Sequence, residues 1–261
     1  MENYVISLKT KSERRFHICN EFKKKDVNFT FIDAITPEEN KETAMRFGLK
    51  IENFDLTPTE ISCFLSHLVA LKNGLDRKNN YISVFEDDIY LGESADLFLT
   101  DETWIPSNID IIKLEAFSEK AKVNKIREIK ILDGRSLYKL RYKHIGAAGY
   151  IISSEKANEV LNKIKIEKNI KPFDHYIFED LIYTSNIYQL LPAICIQDFI
   201  KNKSYNILGS SLEEERRERF NKRKLNDLDI LSKIKREFLR VLNQIYKAPI
   251  NIIYGIKVTF R

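Results

Sequence analysis

The segment Tyr81-Ile82-Ser83-Val84-Phe85-Glu86-Asp87-Asp88 limits the possible folds more than any other stretch of the chain. Its first five residues are mostly β-branched or aromatic, carry no charge, and read as a buried strand. The strand then ends on three adjacent carboxylates, which repel one another. One arrangement that tolerates them is a solvated acidic turn. The other is a set of oxygen ligands around a hard cation, Mg²⁺ or Mn²⁺, with a substrate diphosphate completing the shell.

The N-terminal segment predicts the kind of sheet this strand enters. Tyr4 to Leu8 reads as a strand, and polar residues Lys9 to Arg15 follow, including the pair Arg14-Arg15. A helix to about Lys25 places Ile18 and Phe22 four apart on its inner face. Phe29 to Ile32 is a second strand ending at Asp33-Ala34. This β-α-β opening begins an α/β sheet with helices packed on it.

Later segments are consistent with that architecture. Thr57-Pro58-Thr59-Glu60 is a capping box opening a helix with the apolar stripe Ile61, Phe64, Leu65, Leu68, Leu71 and Leu75. Glu60, Cys63 and His67 share a neighbouring face of that helix. Asp110 to Leu114 reads as a strand, and Ile129 to Tyr142 as a hairpin around Asp133-Gly134. Gly146-Ala147-Ala148-Gly149 lets a backbone or ligand approach closely before the apolar Tyr150-Ile151-Ile152. A helix starts near Ser154. Pro172-Phe173-Asp174-His175 opens another, with Asp174 as its N-cap. Ile187–Leu190 and Ala193–Ile196 read as short strands.

Composition excludes several classes. The 261 residues are 43% apolar and 31% charged, which is globular rather than disordered. Three scattered cysteines (Cys19, Cys63, Cys195) make neither a zinc-finger pattern nor a disulfide framework and suit a reducing compartment. Met1-Glu2-Asn3 leads straight into a strand, so no signal peptide is expected. No apolar run approaches the roughly 18 residues of a membrane span. The phosphate-loop and dinucleotide glycine patterns are absent. The net charge of +5 is uneven, with 13 Lys/Arg and 7 Asp/Glu in residues 213–261 against 30 and 31 before them. Leu225 to Tyr246 has apolar positions at helical spacing, interleaved with Lys233, Arg236, Arg240 and Lys247. It predicts a basic amphipathic helix, suited to an anionic membrane surface or to packing on protein. A neutral body without stacking aromatics argues against nucleic acid.

Together these pieces fit the transfer of a sugar from a nucleotide. That chemistry needs a nucleoside pocket at the strand ends and carboxylates to hold the cation that neutralises the diphosphate. It also needs small residues where the sugar lies and a carboxylate base for the acceptor hydroxyl. The chain supplies Ser7, Arg14-Arg15 and Asp33, then Glu86-Asp87-Asp88, then 146–149, then Asp174 or Glu179-Asp180, in that order. Each has a plainer reading: a helix start, a turn, tight strand packing, a helix cap.

The ordered set of motifs resembles glycosyltransferase family 25. It consists of Val5-Ile6-Ser7-Leu8 with Glu13-Arg14-Arg15; Phe31-Ile32-Asp33-Ala34; Glu60 through Cys63-Phe64-Leu65-Ser66-His67; Val84 to Asp88; His144 through Ser153; Pro172-Phe173-Asp174; and Pro192 to Gln197. Leu208-Gly209-Ser210 and the basic tail resemble its lipooligosaccharide β-1,4-galactosyltransferases. The resemblance spans about residues 4–212.

It implies a GT-A type fold (a Rossmann-like mixed sheet flanked by helices) over residues 1–212, with residues 213–261 as a basic helical tail. It implies a UDP-sugar donor, UDP-galactose or alternatively UDP-glucose, and a lipooligosaccharide acceptor. It implies Mn²⁺ or Mg²⁺, inversion at the anomeric carbon, and a place on the cytosolic face of the inner membrane. Glu86 and Asp88 would be the metal-side carboxylates, and Asp174 or Asp180 the base. Ser7, Leu8, Arg14, Asp33, Ser66, His67, Asp87, Gly146 and Ala147 would line the donor. A non-catalytic glycan- or lipid-binding relative is the alternative from a different class.

Overall fold

The computed structural model describes residues 1–167, 170–202 and 249–261. The basic stretch Leu225–Tyr246 and the motif Leu208-Gly209-Ser210 lie outside the described residues.

The opening forms β1 (Glu2–Ser7), α1 (Ser12–Lys24) and β2 (Thr30–Asp33). A short helix α2 (Asn40–Arg46) and the long α3 (Pro58–Asp76) follow. Thr57 caps α3 as expected: its side chain accepts from Glu60 N–H at 3.1 Å, and Glu60 reaches back to Thr57 N–H at 2.9 Å. β3 (Tyr81–Glu86) turns through Asp87-Asp88 into β4 (Ile89–Leu91). After α4 (Asp96–Leu99) come β5 (Ile111–Lys113), β6 (Lys120–Lys130) and β7 (Ser136–Leu140). The hairpin between β6 and β7 turns at Asp133-Gly134, both at positive φ.

β8 (Gly149–Ser153) and α5 (Ser154–Lys163) follow, then the single turn α6 (Phe173–His175), which continues as a π-helical turn, Tyr176–Asp180. The described elements end with β9 (Ile187–Leu191), β10 (Cys195–Gln197), α7 (Asp198–Lys201) and β11 (Gly255–Lys257).

Nine of these strands make one mixed sheet in the order β11-β6-β7-β9-β5-β8-β3-β1-β2, and β4 pairs with β10 separately. β2, β1 and β3 are parallel, whereas β8 runs antiparallel to both β3 and β5. Alternate residues of the central strands supply the two faces. Tyr4, Ile6, Ile82, Val84, Tyr150 and Ile152 pack beneath α3 and α5. Val5, Phe85, Ile112 and Ile151 pack on the other face with Ile18 and Phe22 of α1. Cover on both faces explains the unbroken apolar runs that marked these strands in the sequence.

Two expectations are corrected. Asp174 does not cap its helix. Pro172 holds the capping position and Asp174 sits inside the turn, which leaves its carboxylate for another partner. Residues 255–261, assigned to the tail, belong to the body: β11 extends the sheet beside β6, and Phe260 bridges to Ala193. Short apolar pairing to a distant strand decides their place, which no local pattern announces.

Gly149, at the head of β8, is required by packing. A Cβ there would fall inside the van der Waals shell of the buried Cys195 thiol. Gly149→Ala is expected to cost about 1–3 kcal/mol. Cys195→Ala in the same chain should recover much of it. Urea midpoints of the four proteins in the double-mutant cycle check this, and additive losses would rule the contact out.

Candidate active site

The functional candidates converge because of strand direction. β2, β1 and β3 are parallel, so their C-terminal ends lie side by side, with Ser7 opposite Asp33 and Ile6 opposite Glu86. β8 runs the other way and brings its first residue, Gly149, opposite Phe85. The small-residue run 146–149 therefore meets the acidic turn. The crevice beyond the carboxyl ends of parallel strands is where α/β sheets bind ligands.

Within the triplet the three carboxylates have different environments. Asp87 is buried, and both its oxygens are engaged: Ser7 Oγ donates to Oδ2 at 2.7 Å and Arg14 Nη1 to Oδ1 at 2.5 Å. Three of the residues assigned to the donor, Ser7, Arg14 and Asp87, thus brace the turn against β1 and α1. Glu86 and Asp88 are bridged by Gln197, whose amide donates to Glu86 Oε2 and to Asp88 Oδ1, each at 3.3 Å. Asp198 N–H caps the Asp88 carbonyl at 2.8 Å. Burial, with the Glu86 charge beside it, pushes the Asp88 carboxyl up to about 8 against the opposing pull of Arg14. The ionised form of this pair is therefore costly without a cation beside it. The all-oxygen donor pair of Glu86 and Asp88 fits a hard divalent cation.

The flank of the turn facing α3 has a different chemistry. Cys63, His67 and Glu86 bring one ligand atom each within 4.8 Å of one another. His67 Nδ1 lies 3.1 Å from Tyr150 Oη, and the ring stacks on Phe173 at 4.1 Å and 4°. Burial pushes His67 down to about 3, with the Asp174 charge opposing, so the imidazole is neutral. Ser66, on the same helix, is hydrogen-bonded on both sides. It accepts from Ile35 N–H at 2.8 Å and donates to Ser62 O at 2.7 Å, tying α3 to the exit of β2.

Asp33 is half exposed at the mouth of the crevice, paired with Arg15 at 2.6 Å and Lys9 at 3.1 Å. Arg15 also donates to Ser7 O at 2.9 Å and lies 4.7 Å over the Phe31 ring. Leu8, whose carbonyl accepts from Lys11 N–H at 3.1 Å, begins the loop on the same rim.

The 146–149 loop wraps a buried ion pair that the sequence reading missed. Lys113 Nζ donates to Glu115 Oε2 and Ile145 O, both at 3.1 Å, and also to Gly146 O. Ala148 N–H donates to the same Glu115 oxygen at 3.1 Å. Gly146 has φ +98°, and a Cβ on it would lie 2.8 Å from Glu115 Oε2, so only glycine fits. Lys113 in the apolar strand and Glu115 just past its end, two apart, were the available signal, because extended backbone turns both to the same side. Ala147 is buried beside Gly146.

Of the two base candidates, Asp174 joins this group and Asp180 does not. Asp174 Oδ2 accepts from Gly146 N–H at 3.2 Å. Asp180 pairs with Lys171 at 2.5 Å on the surface, and its neighbour Glu179 accepts from His175 at 2.8 Å.

Comparison with known proteins gives the family. The family model described as "Glycosyltransferase family 25 (LPS biosynthesis protein)" matches residues 1–177. The chain belongs to glycosyltransferase family 25. Among its relatives in that family is the lacto-N-neotetraose biosynthesis glycosyltransferase LgtE of Neisseria gonorrhoeae, 36% identical with 99% of each chain covered. The lipooligosaccharide biosynthesis protein lex-1 of Haemophilus influenzae is 33% identical over 94% of this chain and 92% of its own. LgtB of Neisseria meningitidis is 34% identical over 83% of each chain. A solved glycosyltransferase involved in glycosylation of the PBCV-1 major capsid superposes with a TM-score of 0.40 at 10% identity, covering 83% of this chain and all of that one. As a family 25 member the chain is a glycosyltransferase of lipooligosaccharide biosynthesis, using a nucleotide-sugar donor and an oligosaccharide acceptor. None of the described helices is long and apolar enough to cross a membrane.

His144, within the matched residues, gives the fold a pH dependence. It is buried, with Nε2 2.9 Å from Ser118 Oγ, and burial and the Lys113 charge push it down to about 3. The unfolded chain, with an ordinary histidine near 6.5, binds the proton that the folded chain refuses. The contribution of neutral His144 is therefore full above about pH 6.5 and is lost as pH falls toward about 3, at about 1.4 kcal/mol per unit. Urea unfolding of wild type and His144→Asn should show the stability gap closing at about that rate below pH 6. A constant gap would mean the imidazole is solvated.

Proposed function

We propose that the chain transfers galactose from UDP-galactose, with inversion, to the oligosaccharide of a lipooligosaccharide. The observation that carries this reading is the meeting of the acidic turn, the glycine-alanine loop and Asp174 at the carboxyl ends of the parallel strands. The parallel β2-β1-β3 unit beside it supports a GT-A type nucleotide-sugar fold. Glu86 and Asp88 would hold Mn²⁺ or Mg²⁺, which supplies charge neutralisation for the departing diphosphate. Asp33 and Leu8 on the rim would face the nucleoside, and the backbone of the Gly146-Ala147 loop would lie along the sugar. Asp174 takes the acceptor hydroxyl's proton as that oxygen forms its bond to the anomeric carbon. The bond from that carbon to the diphosphate breaks on the opposite face, and UDP leaves. Two relatives named for lacto-N-neotetraose biosynthesis support an oligosaccharide acceptor of this class.

UDP release from a panel of UDP-sugars with Mn²⁺ and a lipooligosaccharide acceptor tests the donor. UDP-galactose should exceed UDP-glucose. The reverse order would make the enzyme a glucosyltransferase, since the two sugars differ only at the C4 hydroxyl.

The basic amphipathic sequence Leu225–Tyr246 supports attachment to the inner membrane, where such an acceptor is anchored. Each basic residue near an anionic surface contributes on the order of 1 kcal/mol. Sedimentation should show binding to anionic and not neutral vesicles. Equal binding after replacing Lys233, Arg236, Arg240 and Lys247 by Gln would reject this role.

A further inference from the structure

The structure assigns Cys63, His67 and Glu86 as a three-ligand site for Zn²⁺ or another borderline-soft divalent ion, distinct in chemistry from the hard-cation carboxylates with which it shares Glu86. Cys63 and His67 are four apart on α3, so they lie one above the other on one helix face. Glu86 closes the third corner from the end of β3. Thiolate, imidazole and carboxylate are the donors Zn²⁺ takes in tetrahedral sites, and three protein ligands leave a fourth position open. Mg²⁺ has little use for a thiolate and an imidazole.

The distances fit. A tetrahedral zinc site with such ligands has donor–donor edges of about 3.3–3.8 Å. His67 Nε2 is already 3.7 Å from Glu86 Oε1, and the whole set lies within 4.8 Å. Closing it requires a movement of about an ångström, within reach of the half-buried Cys63 side chain by rotamer adjustment.

The outer shell is also that of a metal-bound histidine. Such a ring usually has its second nitrogen held by a hydrogen bond, which fixes its orientation. Here Nδ1 meets Tyr150 Oη at 3.1 Å, and the stacked Phe173 ring stops rotation. With Nδ1 as the donor to Tyr150, Nε2 carries the lone pair, and it lies 3.7 Å from Glu86 Oε1. An entry path exists too, since the Glu86 side chain is 31% exposed while His67 is 1% exposed. Binding would send the Cys63 thiol proton to solvent and form the metal–sulfur bond to the thiolate.

Cobalt titration of the chelator-stripped full chain, without donor or acceptor, reads the site directly. One Co²⁺ per chain is expected, with a thiolate-to-cobalt charge-transfer band in the near ultraviolet that Zn²⁺ abolishes stoichiometrically. Cys63→Ser should remove the band, and Glu86→Gln should weaken Co²⁺ binding at least tenfold. Cys19→Ser and Asp88→Asn should keep both band and affinity. No band in wild type, or a band surviving Cys63→Ser, overturns the assignment. Loss of the band in Asp88→Asn overturns it in favour of the acidic turn alone. Alkylation of Cys63, followed on its own peptide in the unmutated chain, gives a second reading that needs no variant. Zn²⁺ should slow it at least tenfold, and an unchanged rate overturns the site.

Discussion

Asp88→Ala should abolish glycosyl transfer, lowering kcat/KM by about 10³-fold or more, while leaving the melting temperature unchanged or raised. The two halves of this result come from the same geometry. Asp88 is buried beside Glu86 and its carboxyl is pushed up to about 8, so ionising it costs the fold and the neutral acid prevails at neutral pH until a cation binds. Its removal takes away no charge that the fold depends on. It does remove one of two oxygen donors able to hold a cation against the diphosphate. Loss of several kcal/mol of charge stabilisation corresponds to the stated factor, at about 1.4 kcal/mol per tenfold. Asp87→Ala should behave in the opposite way. It removes the buried carboxylate that Ser7 and Arg14 both bond and should lower the melting temperature clearly. Chelation by EDTA should mimic Asp88→Ala reversibly, with Mn²⁺ restoring activity. Full activity in EDTA would remove the cation from the reaction, and a destabilised Asp88→Ala would mean that its carboxylate also supports the turn.

The contrast between Asp87 and Asp88 marks the limit of what the sequence could say. The strand Tyr81–Phe85 and its acidic end were legible because the apolar run and the charges are contiguous. The α3 capping box and the Asp133-Gly134 hairpin were legible for the same reason, being decided by residues three or fewer apart. Which carboxylate is tied up was not legible, because Ser7 and Arg14 come from the first strand and helix. β4 was missed because three residues carry no period, and its partner β10 lies far along the chain. α2 was missed because Asn40–Arg46 has no apolar stripe, only Asn40, Thr43 and Ala44 turned inward. The Lys113–Glu115 pair beneath Gly146 was visible only as an oddity in an apolar strand. It became meaningful once the sheet order set β5 beside β8.

Asp174→Asn should lower kcat by about 10²–10⁴-fold and leave UDP affinity within about threefold, because a base acts on the acceptor proton in the transition state and not on the bound nucleotide. The substitution is mild for the fold. Asn keeps an oxygen for Gly146 N–H, so the glycine-alanine loop should hold its shape. Asp180→Asn is the matched control. Its carboxylate pairs with Lys171 at the surface, and an exposed pair is worth at most about 1 kcal/mol. That variant should retain activity within a few-fold. Proximity separates the two candidates: Asp174 contacts the loop that meets the acidic turn and its charge is felt by His67, whereas Asp180 faces solvent. An active Asp174→Asn beside a dead Asp180→Asn would move the base to Asp180. Losses below tenfold at both positions would mean that neither carboxylate takes the proton, and that the acceptor hydroxyl is activated by another group at the edge of the crevice.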